Sequence, residues 1–134
     1  MRGILLALVL VAGFGPAARA QDPAAIRDVI SDQIAAFRVD DFSTAFTFAS
    51  PMIRDMFGTP DQFGRMVREG YPMVWRPSDV QFGGLEERGG RTLQRVVVTD
   101  DRGAVHLLEY EMIPGEGGWR INGVRLLEPG ATGA

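Results

Sequence analysis

The chain has 134 residues, of which 46% are hydrophobic and 23% charged, a composition typical of a globular domain and unlike that of a disordered chain. It contains no cysteine and one histidine, which excludes the standard zinc sites, and all 14 basic residues are arginine, which excludes a lysine Schiff base. The formal net charge of −3 argues against nucleic acid as a partner, because binding along a phosphate backbone needs a basic face.

The first 20 residues have the features of a secretory signal peptide. A basic start is followed by an apolar run and by the small-x-small cleavage site Ala18-Arg19-Ala20. The run is shorter than the ~20 residues that span a bilayer, so we expect a periplasmic or secreted protein without a stable membrane anchor. Cleavage after Ala20 would leave one domain over residues 21–128 and a flexible tail over 129–134.

A first helix is predicted over residues 23–38. Asp22 and Pro23 combine a side chain that caps helices with a proline at the first helical position. Apolar residues then recur at helical spacing, so one stripe should face a core: Ile26, Val29, Ile30, Ile34 and Phe37.

Two further helices are predicted before residue 71. Asp40 or Asp41 caps the second helix, which places Phe46 on its buried side. Ser50-Pro51 starts a short turn. Thr59-Pro60-Asp61-Gln62 then has the pattern of a capping box and opens the third helix.

The hydrophobic period changes from helix to strand after the segment from Tyr71 to Pro77. Its two prolines push their predecessors into extended geometry, so we expect no helix there. Alternating apolar residues and glycine-rich turns predict four strands, near Val80–Leu85, Leu93–Thr99, Ala104–Ile113 and Trp119–Leu127. Helices followed by antiparallel strands indicate an α+β domain, with three helices packed on one face of a curved four-stranded sheet.

The third strand predicts which face of the sheet is covered. Glu109 and Glu111 share one face and should be exposed, while the alternate residues should point toward the helices: His106, Leu108, Tyr110 and Met112. Val105 and Leu107 would then lie on the outer face. An exposed apolar patch of this kind is typical of a protein contact, here a homodimer.

The last strand should continue the covered face. Trp119 and Ile121 point inward by the same alternation. We expect a bulge at Gly123, after which Val124 and Leu126 take the inner positions.

The order of these elements, ending in Gly118-Trp-Arg-Ile121, resembles the nuclear-transport-factor-2-like (cystatin-like) superfamily. Several segments within about residues 26–127 are also similar to the bacterial family called domain of unknown function 4864: Ala36-Phe37, Asp40-Asp41, Ala45-Phe46, Phe48-Ala-Ser-Pro51, Phe57-Gly-Thr59, Met66-Val67, Tyr71-Pro72, Arg76-Pro77 and Gly118-Trp-Arg-Ile121. The superfamily resemblance implies a cone-shaped fold with a cavity between sheet and helices. It implies no activity, because the superfamily mixes isomerases, dehydratases and non-catalytic scaffolds.

The first functional hypothesis is a non-catalytic module that holds a small, mostly apolar ligand or meets a protein partner. The expected cavity walls are Phe37, Phe46, Tyr71, Trp75, Arg76, His106, Tyr110 and Trp119. Arg76 can bind a carboxylate-bearing ligand through its planar fork, beside Tyr71 and Trp75. Alternatively, Tyr71 and Trp75 plug the open end of the cone and Arg76 pairs with an aspartate.

The alternative hypothesis is an acid-base enzyme of the isomerase or dehydratase type. His106 beside Tyr110 would exchange protons with a small carbonyl compound, since the imidazole pKa lies near neutrality. Asp41 or Asp40 would be the base if burial raised its pKa. Simpler explanations are a hydrogen-bonded strand histidine near the Gly103 turn and an aspartate that caps a helix. No cofactor and no metal site is expected.

Overall fold

A computed structural model describes residues 22–127, which form five helices followed by four strands. The helices are α1 (Pro23–Arg38), α2 (Phe42–Thr47), α3 (Pro51–Phe57), α4 (Pro60–Gly70) and α5 (Pro72–Trp75). The strands are β1 (Asp79–Arg88), β2 (Arg91–Thr99), β3 (Val105–Gly115) and β4 (Gly118–Leu126). The predicted signal peptide over 1–20 and the predicted tail over 129–134 lie outside the described residues. No helix within 22–127 is long and apolar enough to cross a membrane.

Capping side chains and prolines fix where the helices begin. The Asp22 carboxylate accepts hydrogen bonds from the amides of Ala24 and Ala25, and Thr59 Oγ1 accepts one from the amide of Gln62 at 3.1 Å. Such caps satisfy backbone N–H groups that have no partner within the helix. The starts of α1 and α4 are therefore set by local chemistry, as the sequence predicted.

The prediction of three helices was wrong, because two short segments are also helical. Ser50 caps α3, which lasts two turns and ends at Gly58, where φ is +83°. In α5, Pro72 occupies the first helical position, where its fixed φ is favourable and its missing N–H is not needed. Pro77 restricts only its predecessor, Arg76, so one helical turn fits between the two prolines.

The four strands form one antiparallel sheet in the order β1-β2-β3-β4. The register of β1 against β2 shifts between Phe82 and Leu85, at a pair of glycines. The register of β3 against β4 shifts between Glu111 and Met112, where Asn122 is the extra residue beside Gly123. This is the predicted bulge, and it brings Val124 and Leu126 onto the covered face.

The helices cover the face of the sheet that carries Leu108, Tyr110 and Met112, each at most 1% exposed. Phe63 of α4 lies at the centre of an aromatic cluster, with ring centroids 5.2 to 5.9 Å from those of Phe37, Phe46 and Phe57. The segment between α2 and α3 is tied to β4. Ser50 N donates to Ile121 O, and Ile121 N donates to Phe48 O, both at 2.8 Å.

The outer face of the sheet differs from the prediction at Glu109. This residue does face away from the helices, but it is only 4% exposed, so the expectation of an exposed carboxylate was wrong. Two arginine side chains cover it, Arg125 from the adjacent strand β4 and Arg88 from the end of β1. Val105 on the same face is 66% exposed, and Leu107 is half-buried.

Candidate functional site

A hollow of about 220 Å³ lies between the covered face of the sheet and the helices. Its walls come from every helix except α2, from the α2–α3 connection and from strands β3 and β4: Gln33, Phe37, Ala49, Ile53, Met56, Phe57, Phe63, Met66, Val67, Tyr71, Val74, Tyr110, Ile121, Gly123 and Val124. None of these is an acidic or basic side chain. The hollow is therefore an apolar space with a few neutral polar groups.

The folding of α3 and α4 explains why space remains here. The α3 helix has no fully buried residue, so it covers one side of the hollow without filling it. Phe57 and Met56 from α3 and Met66 from α4 contribute large but flexible or partly exposed side chains. Methionine adapts to irregular gaps because its side chain is unbranched, so this wall can adjust to different contents.

Three neutral polar side chains line the hollow. Gln33 Nε2 donates to Ala45 O at 3.1 Å, and the Tyr71 hydroxyl donates to Val124 O at 3.2 Å. Tyr110 is 1% exposed. Burial raises the pKa of the Tyr110 phenol well above its usual value, and the proximity of Tyr71 adds to the effect. Tyr110 therefore keeps its proton at physiological pH.

Three of the eight predicted wall residues line this hollow, namely Phe37, Tyr71 and Tyr110. The other five lie elsewhere: Phe46, Trp75, Arg76, His106 and Trp119. Phe46 packs behind Phe63, with ring centroids 5.2 Å apart, and Trp119 sits opposite Pro114 beyond the bulge of β4. Strand alternation placed His106 and Trp119 on the covered face, but it did not fix their distance from the hollow.

Trp75 and Arg76 hold the break between α1 and α2. The Trp75 indole Nε1 donates to Asp40 Oδ1 at 2.8 Å, and Arg76 donates to the same oxygen at 3.1 Å and to Phe37 O at 2.8 Å. The Arg76 guanidinium also lies 4.3 Å from the Trp75 ring centroid, a cation–π contact. Arg76 is thus paired with an aspartate and does not face the hollow.

The two adjacent aspartates have structural partners. Asp41 caps α2, accepting from Thr44 N at 3.2 Å, while Asp40 adopts a left-handed backbone with φ of +58°. The hydrogen bond from Trp75 is the main reason that the pKa of Asp40 lies below its usual value, and Thr44 lowers the pKa of Asp41. Lowered pKa values are the opposite of what a buried general base requires. Neither aspartate lines the hollow.

His106 and Tyr110 are not brought together. His106 Nε2 lies 2.8 Å from Asp100 Oδ2, in a separate cleft of about 320 Å³ that Trp75 and Arg76 also line. The hydrogen bond with His106, followed by those from the amides of Ala104 and Arg102, lowers the pKa of Asp100 to about 2. Residues four apart on one strand face are separated by roughly 13 Å, which is too far for the predicted proton exchange. This histidine matches the simpler explanation, a hydrogen-bonded residue beside the Gly103 turn.

The outer face carries an ionic network that the sequence analysis missed. The Glu109 carboxylate accepts hydrogen bonds from Arg88, at 3.0 and 3.2 Å, and from Arg125. Arg95 Nε lies 3.9 Å away. Burial would raise the pKa of Glu109, but the hydrogen bonds from Arg125 and Arg88 outweigh it, so the pKa lies below its usual value. The register of β2, β3 and β4 was the missing signal, because Arg95, Glu109 and Arg125 stand opposite one another.

No group of three or more histidine, cysteine, aspartate or glutamate side chains within residues 22–127 is arranged to hold a metal ion.

These features define an α+β domain whose helices cover one face of an antiparallel sheet and enclose an apolar hollow. Within that class, the family described as Domain of unknown function (DUF4864) matches residues 19–134, and the chain belongs to this family. The solution structure of RPA3114, a SEC-C motif containing protein from Rhodopseudomonas palustris, is similar to it, with a TM-score of 0.59 and 19% identity over 83% of this chain and 85% of that chain. This likeness concerns the fold alone. A search of curated proteins found no match.

Proposed function

We propose that the protein is an exported, non-catalytic module that holds a small, mostly apolar ligand in the hollow. The observation that carries this proposal is the lining of the hollow, which is aliphatic and aromatic with three neutral polar groups. Small-molecule sites in proteins typically combine apolar walls with a few polar groups that orient the ligand. The signal-peptide features of residues 1–20 support export, and the order of elements supports a cone-shaped nuclear-transport-factor-2-like fold.

The volume of the hollow also favours an occupant. Protein interiors are close-packed, and an empty apolar space removes contacts from the side chains around it. A fully enclosed void of this size would cost on the order of 5 kcal/mol. Part of that cost is avoided here because the hollow is partly open to solvent. A ligand that fills the space would restore the missing contacts.

The enzyme alternative has less support. His106 and the two aspartates lie outside the hollow, and each already has a hydrogen-bond partner. Tyr71 and Tyr110 are the titratable groups of the hollow, and a phenol with a raised pKa is a weak general acid. Binding without turnover therefore explains more of the site than catalysis does.

Native mass spectrometry of the protein purified from its own host tests the proposal. We expect the wild type to carry a small molecule that organic solvent releases. In the variant Ala49→Met, a longer side chain from the wall fills the hollow, and we expect that molecule to be missing. The control is Ala35→Met, which makes the same change on the exposed side of α1 and should keep the ligand. An empty wild-type protein, or equal loading of both variants, would contradict ligand binding in the hollow.

A homodimer contact through the outer face of the sheet is a second proposal. Val105 is 66% exposed and shares this face with the half-buried Leu107, which gives the β2–β3 region an apolar surface. The charged network around Glu109 occupies the other part of the face. A contact would therefore involve the Val105 end of the strands.

A further inference from the structure

We infer that the ligand of the hollow is a neutral molecule with an apolar body and one hydrogen-bond acceptor, and that the Tyr110 hydroxyl donates to this acceptor. The inference rests on the proposed function, since it states which chemical class the hollow would hold. It assigns to Tyr110 a direct role in binding.

Tyr110 is the tyrosine of the wall whose hydroxyl is not bonded to another group in the described part of the chain. It lies on β3 between Gln94 and Val124 and is 1% exposed, and within residues 22–127 its hydroxyl has no hydrogen-bond partner. Buried hydroxyl groups in folded proteins nearly always have a partner, because desolvation without one is costly. A phenol at the wall of a hollow can find that partner inside the hollow. The Tyr110 hydroxyl is therefore a donor that can bond to a molecule in the hollow.

The other two polar side chains of the wall each donate one hydrogen bond to the backbone. Tyr71 donates its hydroxyl proton to Val124 O, and Gln33 donates through Nε2 to Ala45 O. These bonds hold the two side chains to the backbone and set the shape of the wall. Of the two tyrosines in the described wall, Tyr110 is therefore the one whose hydroxyl proton is available to a ligand.

The acceptor must be neutral. No arginine lines the hollow, so a carboxylate or phosphate would lose its hydration and gain a single hydrogen bond. Burial also keeps the Tyr110 phenol in its protonated, donating form. A ketone, an aldehyde or an ester carbonyl fits both conditions. An apolar molecule without an acceptor would leave the hydroxyl unmatched.

Two ligands with the same ring skeleton test this recognition. Indane is purely apolar, and 1-indanone adds one carbonyl group. Isothermal titration calorimetry would measure both against the wild type and the variant Tyr110→Phe. We expect the variant to bind indanone roughly 3- to 10-fold more weakly and to bind indane within about twofold of the wild type. The ratio of these changes isolates the hydroxyl–carbonyl contact.

Tyr71→Phe is the matched control, because it removes a hydroxyl from the same wall that already has a protein partner. It should change the two affinities by a similar factor. If Tyr110→Phe also changes both affinities equally, or changes neither, the inference is overturned while the proposed function stands. If the wild type binds neither ligand, the proposed function fails and the inference fails with it.

A second readout does not depend on a variant. The infrared band of the indanone carbonyl should shift to lower frequency when the ligand binds to the wild type, because the carbonyl accepts a hydrogen bond. A bound ligand whose band keeps its position in an apolar solvent would overturn the role of Tyr110. Thermal melting of the ligand-free variant completes the test. Removing a hydroxyl without a partner should leave its melting temperature unchanged or raised, and a large decrease would contradict the unmatched state of that group.

Discussion

Replacing Glu109 with glutamine should destabilise the fold markedly, although the residue lies on the outer face of the sheet. The Glu109 side chain is 3% exposed and receives two hydrogen bonds from Arg88 and another from Arg125. Glutamine keeps the shape but removes the charge, and its amide nitrogen cannot accept from a guanidinium. The variant therefore loses the charge-assisted character of these bonds. The N–H groups of its amide would also face the N–H groups of the arginines, where no hydrogen bond can form.

The exposure of the partners limits the size of the effect. Removing one member of a fully buried ion pair typically costs about 3 to 5 kcal/mol. Here the Arg88 and Arg125 side chains are 47% and 64% exposed, so water can solvate them once the carboxylate is gone. We expect a loss of about 2 kcal/mol, between the values for a buried and an exposed pair. In a domain of this size, that loss corresponds to a decrease in melting temperature of roughly 10 °C.

Differential scanning calorimetry and urea unfolding would measure this loss. The control is Glu111→Gln, two residues along the same face, where the carboxylate accepts one long hydrogen bond of 3.5 Å from Asn122. That variant should stay within about 0.5 kcal/mol of the wild type. The pKa of Glu109 is lowered, so its stabilising effect is present above the unfolded-state pKa and is lost as the pH falls through the folded-state pKa. Equal stabilities of the two variants at neutral pH would refute this description of the network.

Three further predictions concern other parts of the molecule. The Asp100 pKa of about 2 means that its ionised form stabilises the fold above about pH 4 and that this effect is lost as the pH falls toward 2. The difference in urea midpoint between the wild type and His106→Gln should shrink over the same interval. A difference that stays constant would contradict a stabilising role of the ionised Asp100 carboxylate. Gly64→Ala should reduce stability by about 1 kcal/mol, since the added Cβ would lie 2.7 Å from the Phe42 ring and the strain exceeds the gain in helix propensity; a stabilised variant would show that the ring moves freely. Leu107→Glu should convert any dimer into a folded monomer, and an unchanged mass by light scattering would end the dimer proposal.

Much of the secondary structure could be predicted because its signals are local. Asp22 and Pro23 mark the start of α1 without reference to any other part of the chain. The alternation along β3 identified Leu108, Tyr110 and Met112 as covered, since a strand exposes successive side chains to opposite faces. The helix α5 was not predicted because Pro72 and Pro77 were both expected to exclude helical geometry. A proline at the first helical position permits a helix that the same residue would disrupt further along.

The site could be predicted only in part, because its shape depends on packing between distant segments. Sequence alternation assigned His106 and Tyr110 to one face but did not reveal that they line different spaces. Glu109 was expected to be exposed because its cover comes from Arg88 and Arg125, on two other segments of the chain. Short helices such as α3 have no long periodic pattern, so the sequence gives little information on how closely they approach the sheet.

The most direct test of the central claim is a methyl NMR titration of the folded protein with 1-indanone. We predict saturable shifts for the methyl groups of Ile53 and Val67, which line the hollow, and no shift for the exposed Val105 on the outer face. Shifts confined to Val105 and its neighbours, or no shift at all with a soluble apolar ligand in excess, would contradict a ligand site between the sheet and the helices.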